Sequence, residues 1–595
     1  MTLQSDSNSS VTVEPSSGSS IFSHSKSSAN SPAIAKNSLA KTTVAEALVK
    51  IFNKLGINSA FGVSGGGIGP LWATLAASPI QVVHFRHETG AAFAAIESYF
   101  ASDRPVVVFT TTGPGITNAL TGLLAARGEG AKVILISAYT SSGNRGRWAC
   151  QETSSYTLPQ EGIFTSGSLF DYATIVESAD RLPEISRRLA IGLTQPGGFV
   201  AHISVPTAVQ TSQTSVSLAP LNFSRSLATA NQEAIAQCAK WISENSCGIW
   251  IGFGARQDAR VIRQLAEKTG AAVMCSPRAK GIFPENHPQF VGVTGFAGHA
   301  SVLEYMEKHR PEWILVLGTR LGEPTSFWNP TMIPTRGFIQ VDIDPKVAGV
   351  AYPDVETYSI QSEIGTFVKA LLQHFPQDLK RSIGSPLPRP KLFKASSHTN
   401  ELVRPAVLMA AIQQQIVKKS NAIVLADAGN SFAWATHFLK FDRPLRYRIS
   451  TGVGAMGHAA TGVVGAALAS NNQAVAIVGD GSMLMNCEVS TAVKLRVRAV
   501  WIVLNDGRYN MCAQGAAMQG FSAVDTEIPE TDFVKIAKGM GADGIRGCKE
   551  SELAPAIEKA MASAVPFVVD VTIDPSQKAP IGSRITSLKA QGAEL

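Results

Sequence analysis

Two apolar runs in the last third of the chain are each followed by oxygen-bearing side chains. The run 474–478 leads into Gly-Asp-Gly-Ser, which contains Asp480, and the run 500–504 leads into Asn505-Asp506. If both runs are neighbouring parallel strands, Asp480 and Asp506 lie at the same carboxyl edge of a sheet. Mg²⁺ prefers one or two such oxygens, with waters and phosphates completing its shell. The pattern predicts a magnesium–diphosphate site.

The residues that follow Asp480 suit a phosphate group. Gly481 lets the backbone approach a ligand closely, because glycine has no side chain. Ser482 lies at the start of a predicted helix, where free N–H groups favour anions. We expect Gly481 and Ser482 to contact the diphosphate.

This motif resembles the diphosphate motif of thiamine diphosphate-dependent enzymes. The resemblance implies that Asp480 and Asp506 bind Mg²⁺ through their side chains and Arg508 through its main-chain carbonyl. Asparagine is commoner in the family where this chain has Asp506, and a carboxylate oxygen serves magnesium at least as well. The run Asp-Gly-Arg-Tyr-Asn-Met at 506–511 resembles the catabolic, FAD-independent acetolactate synthases.

A second candidate site is Arg86-His87-Glu88, which follows a predicted strand at 82–85 and opens a predicted helix at 89–100. Taken alone, Glu88 could simply favour the positive helix N-terminus. In the resembling family, a glutamate in this context shares a proton with the cofactor's aminopyrimidine ring, whose amine then deprotonates the thiazolium carbon. We therefore expect Glu88 to be catalytic and His87 to be structural.

Two further segments resemble the family's active-site lining. The segment 112–118 matches the one that lines the pyrimidine pocket, although it also reads as a helix N-terminus capped by Thr117 or Asn118. Cys150-Gln151-Glu152 resembles a short motif whose glutamine faces the active site. The resemblance makes Gln151 a candidate for contacting bound substrate.

The segment 452–457 is a literal G-x-G-x-x-G between a predicted strand and a predicted helix. Read alone, it predicts a dinucleotide site with Asp480 as the ribose acid. Against this, Asp480 is embedded in Gly-Asp-Gly-Ser, which suits a phosphate turn better. A catalytically silent or NAD-binding protein stays open as an alternative.

The family resemblance gives the glycine-rich segment a different use. It implies that the Gly454 carbonyl accepts a hydrogen bond from the cofactor's amino group and that Met456 wedges beneath the rings. Methionine is flexible and polarizable, which suits such a wedge. Gly429 and Asn430, after another predicted strand, are expected to touch the diphosphate.

The rest of the chain predicts an α/β protein with three doubly wound parallel-sheet domains, because helical periods alternate with short apolar strands. Its 595 residues suit several domains. We expect a disordered serine-rich tail at 1–40 and the following order: a pyrimidine-binding domain at 41–206, a linker at 207–227, a central domain at 228–375, a linker at 376–401, a diphosphate- and magnesium-binding domain at 402–578 and a C-terminal tail at 579–595.

Composition argues against several function classes. The net charge of +7 is small for this length, and without a long basic run it does not favour nucleic-acid binding. No apolar stretch reaches eighteen residues, so no membrane span is expected. Seven scattered cysteines without Cys-x-x-Cys indicate thiols in a reducing compartment. With no secretory signal pattern, we expect a cytoplasmic protein.

Departures from the anabolic synthases bear on FAD and on substrate. Those FAD-containing relatives carry Arg-Phe-Asp-Asp-Arg where this chain has the run 320–324, Arg-Leu-Gly-Glu-Pro. We therefore expect no functional FAD. Pro324 replaces an arginine near the acceptor's carboxylate, and Gly515 falls where they carry a bulky tryptophan. The acceptor is hypothesised to be larger than pyruvate, for example an aromatic 2-oxoacid.

The resemblance implies an acyloin synthase of the acetolactate synthase type. Such an enzyme decarboxylates a 2-oxoacid with thiamine diphosphate and Mg²⁺ and joins the remaining fragment to a second carbonyl compound. The alternatives are a non-ligating 2-oxoacid decarboxylase and an FAD-linked 2-oxoacid oxidase. In the family, the Glu88 block and the Asp480 block come from different subunits, which implies a homodimer or homotetramer.

Overall fold

The computed structural model describes residues 41–593, with short gaps at 221, 223–226, 378, 380, 382–385, 392, 394–401, 486, 522–523 and 548. The serine-rich segment 1–40, for which disorder is predicted, lies outside the described residues. Three six-stranded sheets make up the framework of the described chain, and all their strand pairs are parallel. The predicted α/β class with three parallel-sheet domains is confirmed.

The first sheet has the strand order β3-β2-β4-β5-β7-β6. Its strands are β2 Ser59–Val63, β3 Gln81–His84, β4 Val106–Thr110, β5 Lys132–Tyr139, β6 Tyr172–Ile175 and β7 Phe199–Pro206. Its helices are α1 Val44–Lys54, α2 Gly69–Ala76, α3 Glu88–Ser102, α4 Pro114–Glu129 and α5 Leu182–Thr194. All five residues of β4 are buried, as expected for a parallel strand that is covered on both faces.

The central sheet has the order β11-β10-β9-β12-β13-β14. Its strands are β9 Cys247–Ile251, β10 Ala272–Cys275, β11 Phe290–Val293, β12 Trp313–Leu317, β13 Gly337–Asp342 and β14 Thr357–Gln361. Its helices are α7 Gln232–Glu244, α8 Ala259–Thr269, α9 Ala300–Lys308, α10 Glu323–Ser326 and α11 Ile364–His374.

The third sheet has the order β16-β15-β17-β18-β20-β19. Its strands are β15 Ile423–Ala426, β16 Tyr447–Ile449, β17 Ala474–Gly479, β18 Ala499–Asn505, β19 Asp543–Gly547 and β20 Phe567–Thr572. Its helices are α12 Pro405–Ile412, α13 Asn430–Phe438, α14 His458–Ser470, α15 Asp480–Leu484, α16 Val489–Leu495, α17 Asn510–Gln519, α18 Phe533–Gly539 and α19 Leu553–Ala562.

Helices α3 and α14 join the first and third domains. Every residue from Gly90 to Phe100 of α3 is buried, and so is every residue from His458 to Ala467 of α14. Glycines bring the two backbones together: a Cβ on Gly465 would lie 2.0 Å from the Ala94 carbonyl oxygen. Because helices that are buried on all sides need apolar surroundings, this pair forms part of one core shared by both domains.

Two segments predicted to be irregular contain regular elements. Within the predicted linker 207–227, α6 spans Thr207–Gln210, and β8 spans Gln213–Thr214 and pairs with β1 Thr42–Thr43. The predicted C-terminal tail contains α20, Gly582–Ala590. The domain boundaries themselves stay predictions. None of the described helices combines the length and apolar character needed to cross a membrane.

Candidate functional site

Asp480 and Asp506 lie at one edge of the third sheet, as their spacing predicts. Strands β17 and β18 are parallel neighbours, with Gly479 opposite Leu504, so the residues that follow them emerge side by side. The Asp480 carboxylate is buried and accepts the N–H groups of Gly481 at 2.7 Å and Gly507 at 2.8 Å. Main-chain donors therefore fix its orientation.

The electrostatics of this edge suit a divalent cation. Burial and the neighbouring Asp480 charge raise the pKa of Asp506 to about 7, and a bound cation would relieve this repulsion. In the described part of the chain, no three His, Cys, Asp or Glu side chains converge into a metal site. Two carboxylates with phosphate oxygens are the set that Mg²⁺ uses, so the residues present fit a magnesium–diphosphate pair.

Arg508 places its main chain at the same edge. Its N–H donates to Asp480 Oδ2 at 3.3 Å, and its carbonyl accepts the N–H of Asn510 at 2.8 Å across a tight turn at Tyr509. A carbonyl oxygen has two lone pairs, so the predicted metal contact would use the second one.

Gly481 and Met456 are brought together at the Asp480 turn. A Cβ on Gly481 would lie 2.5 Å from the Tyr509 ring and 3.2 Å from Met456 Cε. Only glycine fits between these side chains. The structure thus places the predicted wedge residue against the predicted diphosphate turn, although the two lie far apart in sequence.

Gly429 and Asn430 form the start of α13. Gly429 has a φ of +105° and no side chain to cap the helix, so the first N–H groups of α13 are left for another acceptor. The Asn430 Oδ1 atom is buried and has no hydrogen-bond partner among the described residues. Such an orphaned atom beside free helix N–H groups fits a polar ligand such as a diphosphate with its metal.

Asp427 is a residue of this site that the motifs did not single out. Its buried Oδ1 accepts the N–H of Gly457 at 3.0 Å and the hydroxyl of Ser482 at 3.2 Å, and its Oδ2 accepts the N–H of Ala460 at 2.9 Å. Asp427 ties the end of β15 to the glycine-rich segment and to α15. Because the Ser482 hydroxyl donates to Asp427, the predicted diphosphate contact of Ser482 would use the main-chain N–H of Ser482.

The glycines of the 452–457 segment serve a turn. Gly454 and Gly457 have φ angles of +69° and +86°, which other residues rarely adopt, and α14 starts directly after Gly457. Met456 lies between them and reaches the Asp480 turn. In the dinucleotide interpretation, the Asp480 carboxylate would accept hydrogen bonds from a ribose. In the structure, Asp480 Oδ2 instead accepts the main-chain N–H groups of Gly507 and Arg508.

Glu88 is the first residue of α3, and His87 is its N-cap. The His87 ring accepts the N–H of Thr89 at 3.2 Å and caps the helix, while Glu88 lies in the first turn, where its charge favours the helix N-terminus. The Glu88 carboxylate is buried, and its Oε2 accepts a hydrogen bond from Asn118 Nδ2 at 3.1 Å. The Asn118 amide thus fixes the orientation of the buried Glu88 carboxylate.

Asn118 lies inside α4 and does not cap it. The helix begins at Pro114, and its N-cap residue Gly113 has a φ of 56°. The expectation of a cap by Thr117 or Asn118 is therefore wrong, because proline at the first helical position starts the helix earlier. The amide of Asn118 is free to hold Glu88 instead.

Gln151 lies beside the same segment. Its Oε1 accepts the Thr112 hydroxyl at 3.5 Å, and its Cβ lies 3.2 Å from the place that a Gly113 Cβ would take. Its φ of 50° is in the left-handed region, which costs energy for a glutamine. Such strain is common at functional sites. The structure therefore groups Gln151, Thr112 and Gly113.

The predicted site residues form two separate groups within one chain. We call Glu88, Thr112, Gly113, Asn118 and Gln151 the glutamate half, and we call Gly429, Asn430, Gly454, Met456, Asp480, Gly481, Ser482, Asp506 and Arg508 the diphosphate half. Among the described residues, no hydrogen bond, ion pair or ring contact joins the two halves.

Glu488 is a second residue that the motifs did not indicate. It is the residue before α16, and its buried carboxylate accepts the N–H groups of Arg86 at 3.0 Å and His87 at 3.1 Å. Burial raises its pKa, while these donors oppose that shift. A Cβ on Gly90 would lie 2.9 Å from its Oε1. The third domain thus holds the turn that presents Glu88.

A cleft of about 800 Å³ lies between the central domain and its neighbours. Its lining is polar and of mixed charge: four arginines and four carboxylates line it together with Gly254 and Gly318 (Arg127, Arg256, Arg278, Arg320, Glu129, Asp171, Asp342 and Asp344). A cleft of this size at the end of parallel strands can hold a small-molecule ligand.

Helix α20 packs against Gly515, the residue that is predicted to replace a tryptophan of the anabolic synthases. Ile585 Cδ1 lies 3.5 Å from the place that a Gly515 Cβ would take. The Glu323 carboxylate, next to Pro324, accepts hydrogen bonds from Arg584, from Ser587 at 2.7 Å and from Gln591 at 3.0 Å. Gly515 and Glu323, the neighbour of Pro324, therefore both contact the C-terminal helix.

Family descriptions match all three domains. "Thiamine pyrophosphate enzyme, N-terminal TPP binding domain" matches residues 42–158, the central domain of the same family matches 235–371, and "C-terminal TPP binding domain" matches 427–571. The two TPP-binding matches contain Glu88 and Asp480, respectively.

Curated relatives align over nearly the whole chain. A putative thiamine pyrophosphate-containing protein, YdaP of Bacillus subtilis, is 26% identical and covers 93% of this chain and 95% of its own. Acetolactate synthase isozyme 1 large subunit of Escherichia coli is 27% identical over 90% and 95%. The putative acetolactate synthase large subunit IlvB2 of Mycobacterium tuberculosis is 27% identical over 90% and 99%.

Solved structures share the fold. A thiamine diphosphate-dependent 4-hydroxybenzoylformate decarboxylase from Rhodococcus jostii superposes with a TM-score of 0.77 at 21% identity, covering 90% of this chain and 100% of its own. Benzoylformate decarboxylase from Polynucleobacter necessarius gives 0.79 at 18% identity, covering 90% and 99%. With these matches across three domains and the two halves described above, the chain belongs to the thiamine diphosphate-dependent enzymes, as an acetolactate synthase-like member.

Proposed function

We propose that this protein decarboxylates a 2-oxoacid and joins the remaining fragment to a second 2-oxoacid or carbonyl compound, releasing an acyloin. The observation that carries the proposal is the presence of both halves in one family member: Glu88 held by Asn118, and Met456 packed at the Asp480 turn. The relatives named acetolactate synthases favour ligation over simple decarboxylation.

The residues of the two halves would divide the work as follows. Bound thiamine diphosphate supplies the electron sink for decarboxylation. Glu88 would exchange a proton with the aminopyrimidine ring, and the Asn118 amide would keep its carboxylate in place. Gln151 would contact substrate. Mg²⁺ would be held by Asp480, Asp506 and the Arg508 carbonyl, the pyrimidine by Gly454 and Met456, and the diphosphate by Gly429, Asn430, Gly481 and Ser482.

The active site would be completed between two copies of the chain. One chain contributes its glutamate half, and another contributes its diphosphate half. This proposal is supported by the family resemblance and by the separation of the two halves within the described chain. A homodimer is the smallest assembly that satisfies it, and a homotetramer would contain two such pairs.

The six described cysteines are free, in line with the proposed cytoplasmic location.

The acceptor site would have α20 as one wall. Gly515 leaves room that a tryptophan would fill, but Ile585 occupies part of that room. We therefore propose that the Ile585 side chain sets the upper limit on the size of the acceptor 2-oxoacid. An Ile585→Ala variant is expected to improve kcat/KM for an aromatic acceptor relative to pyruvate, whereas an unchanged ratio would exclude Ile585 as a wall of the acceptor site.

An FAD-linked 2-oxoacid oxidase is the second candidate. The cleft of about 800 Å³ beside the central domain is the observation behind it, because the family resemblance implies that this domain holds FAD in some relatives. An oxidase would be purified as a yellow protein and would release an acid and peroxide. Our expectation that functional FAD is absent stays a prediction, which the visible spectrum of the purified protein tests directly.

Turnover of 2-oxoacids decides between these candidates. Pyruvate and aromatic 2-oxoacids are supplied singly and in pairs, with Mg²⁺ and with or without thiamine diphosphate, and products are identified by mass. A cofactor-dependent coupled product is expected. Aldehyde alone would indicate a decarboxylase, and peroxide would indicate an oxidase. No cofactor-dependent release of carbon dioxide from any substrate would refute all three.

A further inference from the structure

A carboxylate of the first domain holds one end of the loop that carries Gly454 and Met456. Glu129 is the last residue of α4. Its Oε1 accepts the Ser450 hydroxyl at 3.0 Å, the N–H of Thr451 at 2.7 Å and the N–H of Gly452 at 2.6 Å. Three donors from one short segment converge on one oxygen, and the segment belongs to another domain.

The second oxygen of Glu129 is balanced by the central domain. Arg278 Nη2 lies 2.6 Å from Glu129 Oε2 and also donates to the Glu129 carbonyl at 3.0 Å. The guanidinium lies 4.0 Å above the centre of the Phe253 ring. Glu129 is only 4% exposed. Arg278 pairs with Oε2 and stabilises the buried charge, while Oε1 accepts hydrogen bonds from loop residues alone.

Two glycines permit this contact. A Cβ on Gly452 would lie 3.0 Å from Gly128 Cα, and a Cβ on Gly128 would lie 3.1 Å from Gly452 Cα. A side chain at either position would require one of the two backbones to shift by a few tenths of an ångström. The close approach of α4 and the loop thus depends on a glycine in each segment.

The other end of the loop is also fixed. The N–H of Gly457 donates to Asp427, and the next residue, His458, pairs its Nε2 with Glu97 Oε1 of α3 at 2.9 Å. Between these anchors, no described main-chain hydrogen bond involves residues 453–456. The loop therefore spans the site from two fixed points, and the first of them is set by Glu129.

We propose that Glu129 is a positioning residue that presets the 450–457 loop, so that Gly454 and Met456 are in place before the cofactor binds. This inference rests on the proposed function for the cofactor contacts of those two residues. A loop that is ordered in advance loses less conformational entropy on binding, which raises affinity. Without Glu129, binding would have to order the loop, and two main-chain N–H groups would lose their acceptor.

Three variants and one control separate this role from general stability. Glu129→Ala removes every contact to the loop. Glu129→Gln keeps one oxygen for the three donors, and Glu129→Asp keeps the charge but retracts it by one methylene. Glu550→Ala is the matched control, because Glu550 likewise accepts a main-chain N–H, from Arg404 at 3.2 Å, and pairs with that arginine at 2.7 Å.

The measurements are hydrogen exchange of residues 451–457 in the apo-proteins and the Kd for thiamine diphosphate at saturating Mg²⁺. Glu129→Ala is expected to accelerate exchange in the loop and to raise the Kd at least tenfold, with Glu129→Asp showing a smaller change. Glu550→Ala should stay within about threefold of the wild-type Kd, since it leaves the Glu129 oxygen at the loop. Glu129→Gln keeps one oxygen at the loop but turns its NH2 group toward Arg278, so its Kd should lie between those of wild type and Glu129→Ala.

The proposal is overturned if exchange in the loop and the Kd are the same in Glu129→Ala and in Glu550→Ala. If Glu129→Ala fails to fold, Glu129→Asp decides by the same two readings. Failure of the proposed function would look different, because the wild-type protein itself would not bind thiamine diphosphate. Loop exchange in the apo-proteins would still report whether Glu129 holds the loop.

Discussion

Glu88 is the residue on which the proposed chemistry depends most directly. In Glu88→Gln, the Oε1 atom can still accept the Asn118 hydrogen bond, but the amide cannot exchange a proton with the cofactor. Loss of a general acid–base group lowers rates by about 10²- to 10⁴-fold. We expect kcat to fall by at least about 100-fold, with little change in the Kd for thiamine diphosphate.

The control for Glu88 is His87→Asn. Asparagine is an equally good N-cap, so α3 should keep its start and turnover should change little. Both rates are measured as carbon dioxide release at saturating cofactor. A Glu88→Gln enzyme that retains more than about a tenth of the wild-type rate would contradict the role that general acid–base catalysis assigns to Glu88.

Asp480 and Asp506 should respond unequally to removal of their charge. Asp506→Asn keeps a ligand oxygen and relieves the repulsion that raises the Asp506 pKa, so Mg²⁺-dependent cofactor binding should change little. In Asp480→Asn, the amide nitrogen would face the N–H groups of Gly507 and Arg508. Cofactor affinity should then fall more than about tenfold, as calorimetric titration can measure. Equal losses would contradict this asymmetry.

At the residue scale, sequence predicted the groups that act through type and spacing. Asp480 and Asp506 stand directly after apolar strands, and the structure places them at one sheet edge. Asp427, Glu129 and Glu488 were missed because they act on main-chain N–H groups of distant segments. Such acceptors leave no spacing pattern, although a carboxylate directly after a buried strand, such as Asp427, could have drawn attention.

At the element scale, the contact between α3 and α14 contains a buried ionic group. Arg448 Nε lies 3.0 Å from Glu97 Oε2, and His458 Nε2 lies 2.9 Å from Glu97 Oε1. Burial alone would raise the Glu97 pKa, but Arg448 and His458 outweigh burial and lower it to about 2 from its ordinary value of 4.5. The charged form of Glu97 therefore stabilises the fold.

This pKa shift predicts how stability depends on pH. The Glu97 contribution should be complete above about pH 4.5 and should disappear as the pH falls toward 2. Glu97→Ala leaves Arg448 buried without its partner and should cost about 3–5 kcal/mol near neutral pH. The difference in thermal midpoint between wild type and variant should shrink on acidification.

The control for the Glu97 variant is Glu558→Gln, which breaks an exposed pair with Lys419. A surface pair contributes about 0–1 kcal/mol, so this variant should differ little from wild type at any pH. A Glu97 deficit that stays constant from neutral to acidic pH would contradict the electrostatic origin of its contribution.

Elements were predictable where composition alone determines them. The apolar runs 474–478 and 500–504 are β17 and β18, within one residue at each end, because a strand covered on both faces must be apolar throughout. Elements that depend on partners were not predictable. The β8 strand forms only against β1, and α20 packs through Ile585 and through Arg584 onto Glu323.

At the scale of the whole molecule, the proposed assembly can be tested with two impaired chains at a cofactor concentration that saturates wild type but not Asp480→Asn. Glu88→Gln damages the glutamate half, and Asp480→Asn damages the diphosphate half. In a mixed dimer, one site receives both intact halves and the other receives neither. With random pairing, an equal mixture should regain about a quarter of wild-type activity, since half of the dimers are mixed and each has one working site.

The mixing experiment has a clear opposite outcome. If each site were built within one chain, mixtures refolded or produced together would stay as inactive as the separate variants. A mixture of Glu88→Gln with a second glutamate-half variant, such as Asn118→Ala, serves as control, because a mixed dimer of these two contains no site with both halves intact.

The overall architecture followed from the alternation of helices and strands, and the family followed from two motifs. The arrangement of halves did not follow from local pattern, because it depends on how copies of the chain meet. The contacts between domains were equally hidden, since Glu129 and the loop it binds are more than three hundred residues apart.

The Glu488 contact has a consequence for the order of folding. Glu488 satisfies the turn at Arg86 from 402 residues away, so a ribosome finishes the first domain long before it makes the residue that this turn needs. Until then, Arg86 and His87 lack their acceptor, and the apolar surface of α3 has no α14 to cover it. We therefore expect a first domain produced without the third to expose the apolar surface of α3 and to aggregate more readily than the full chain.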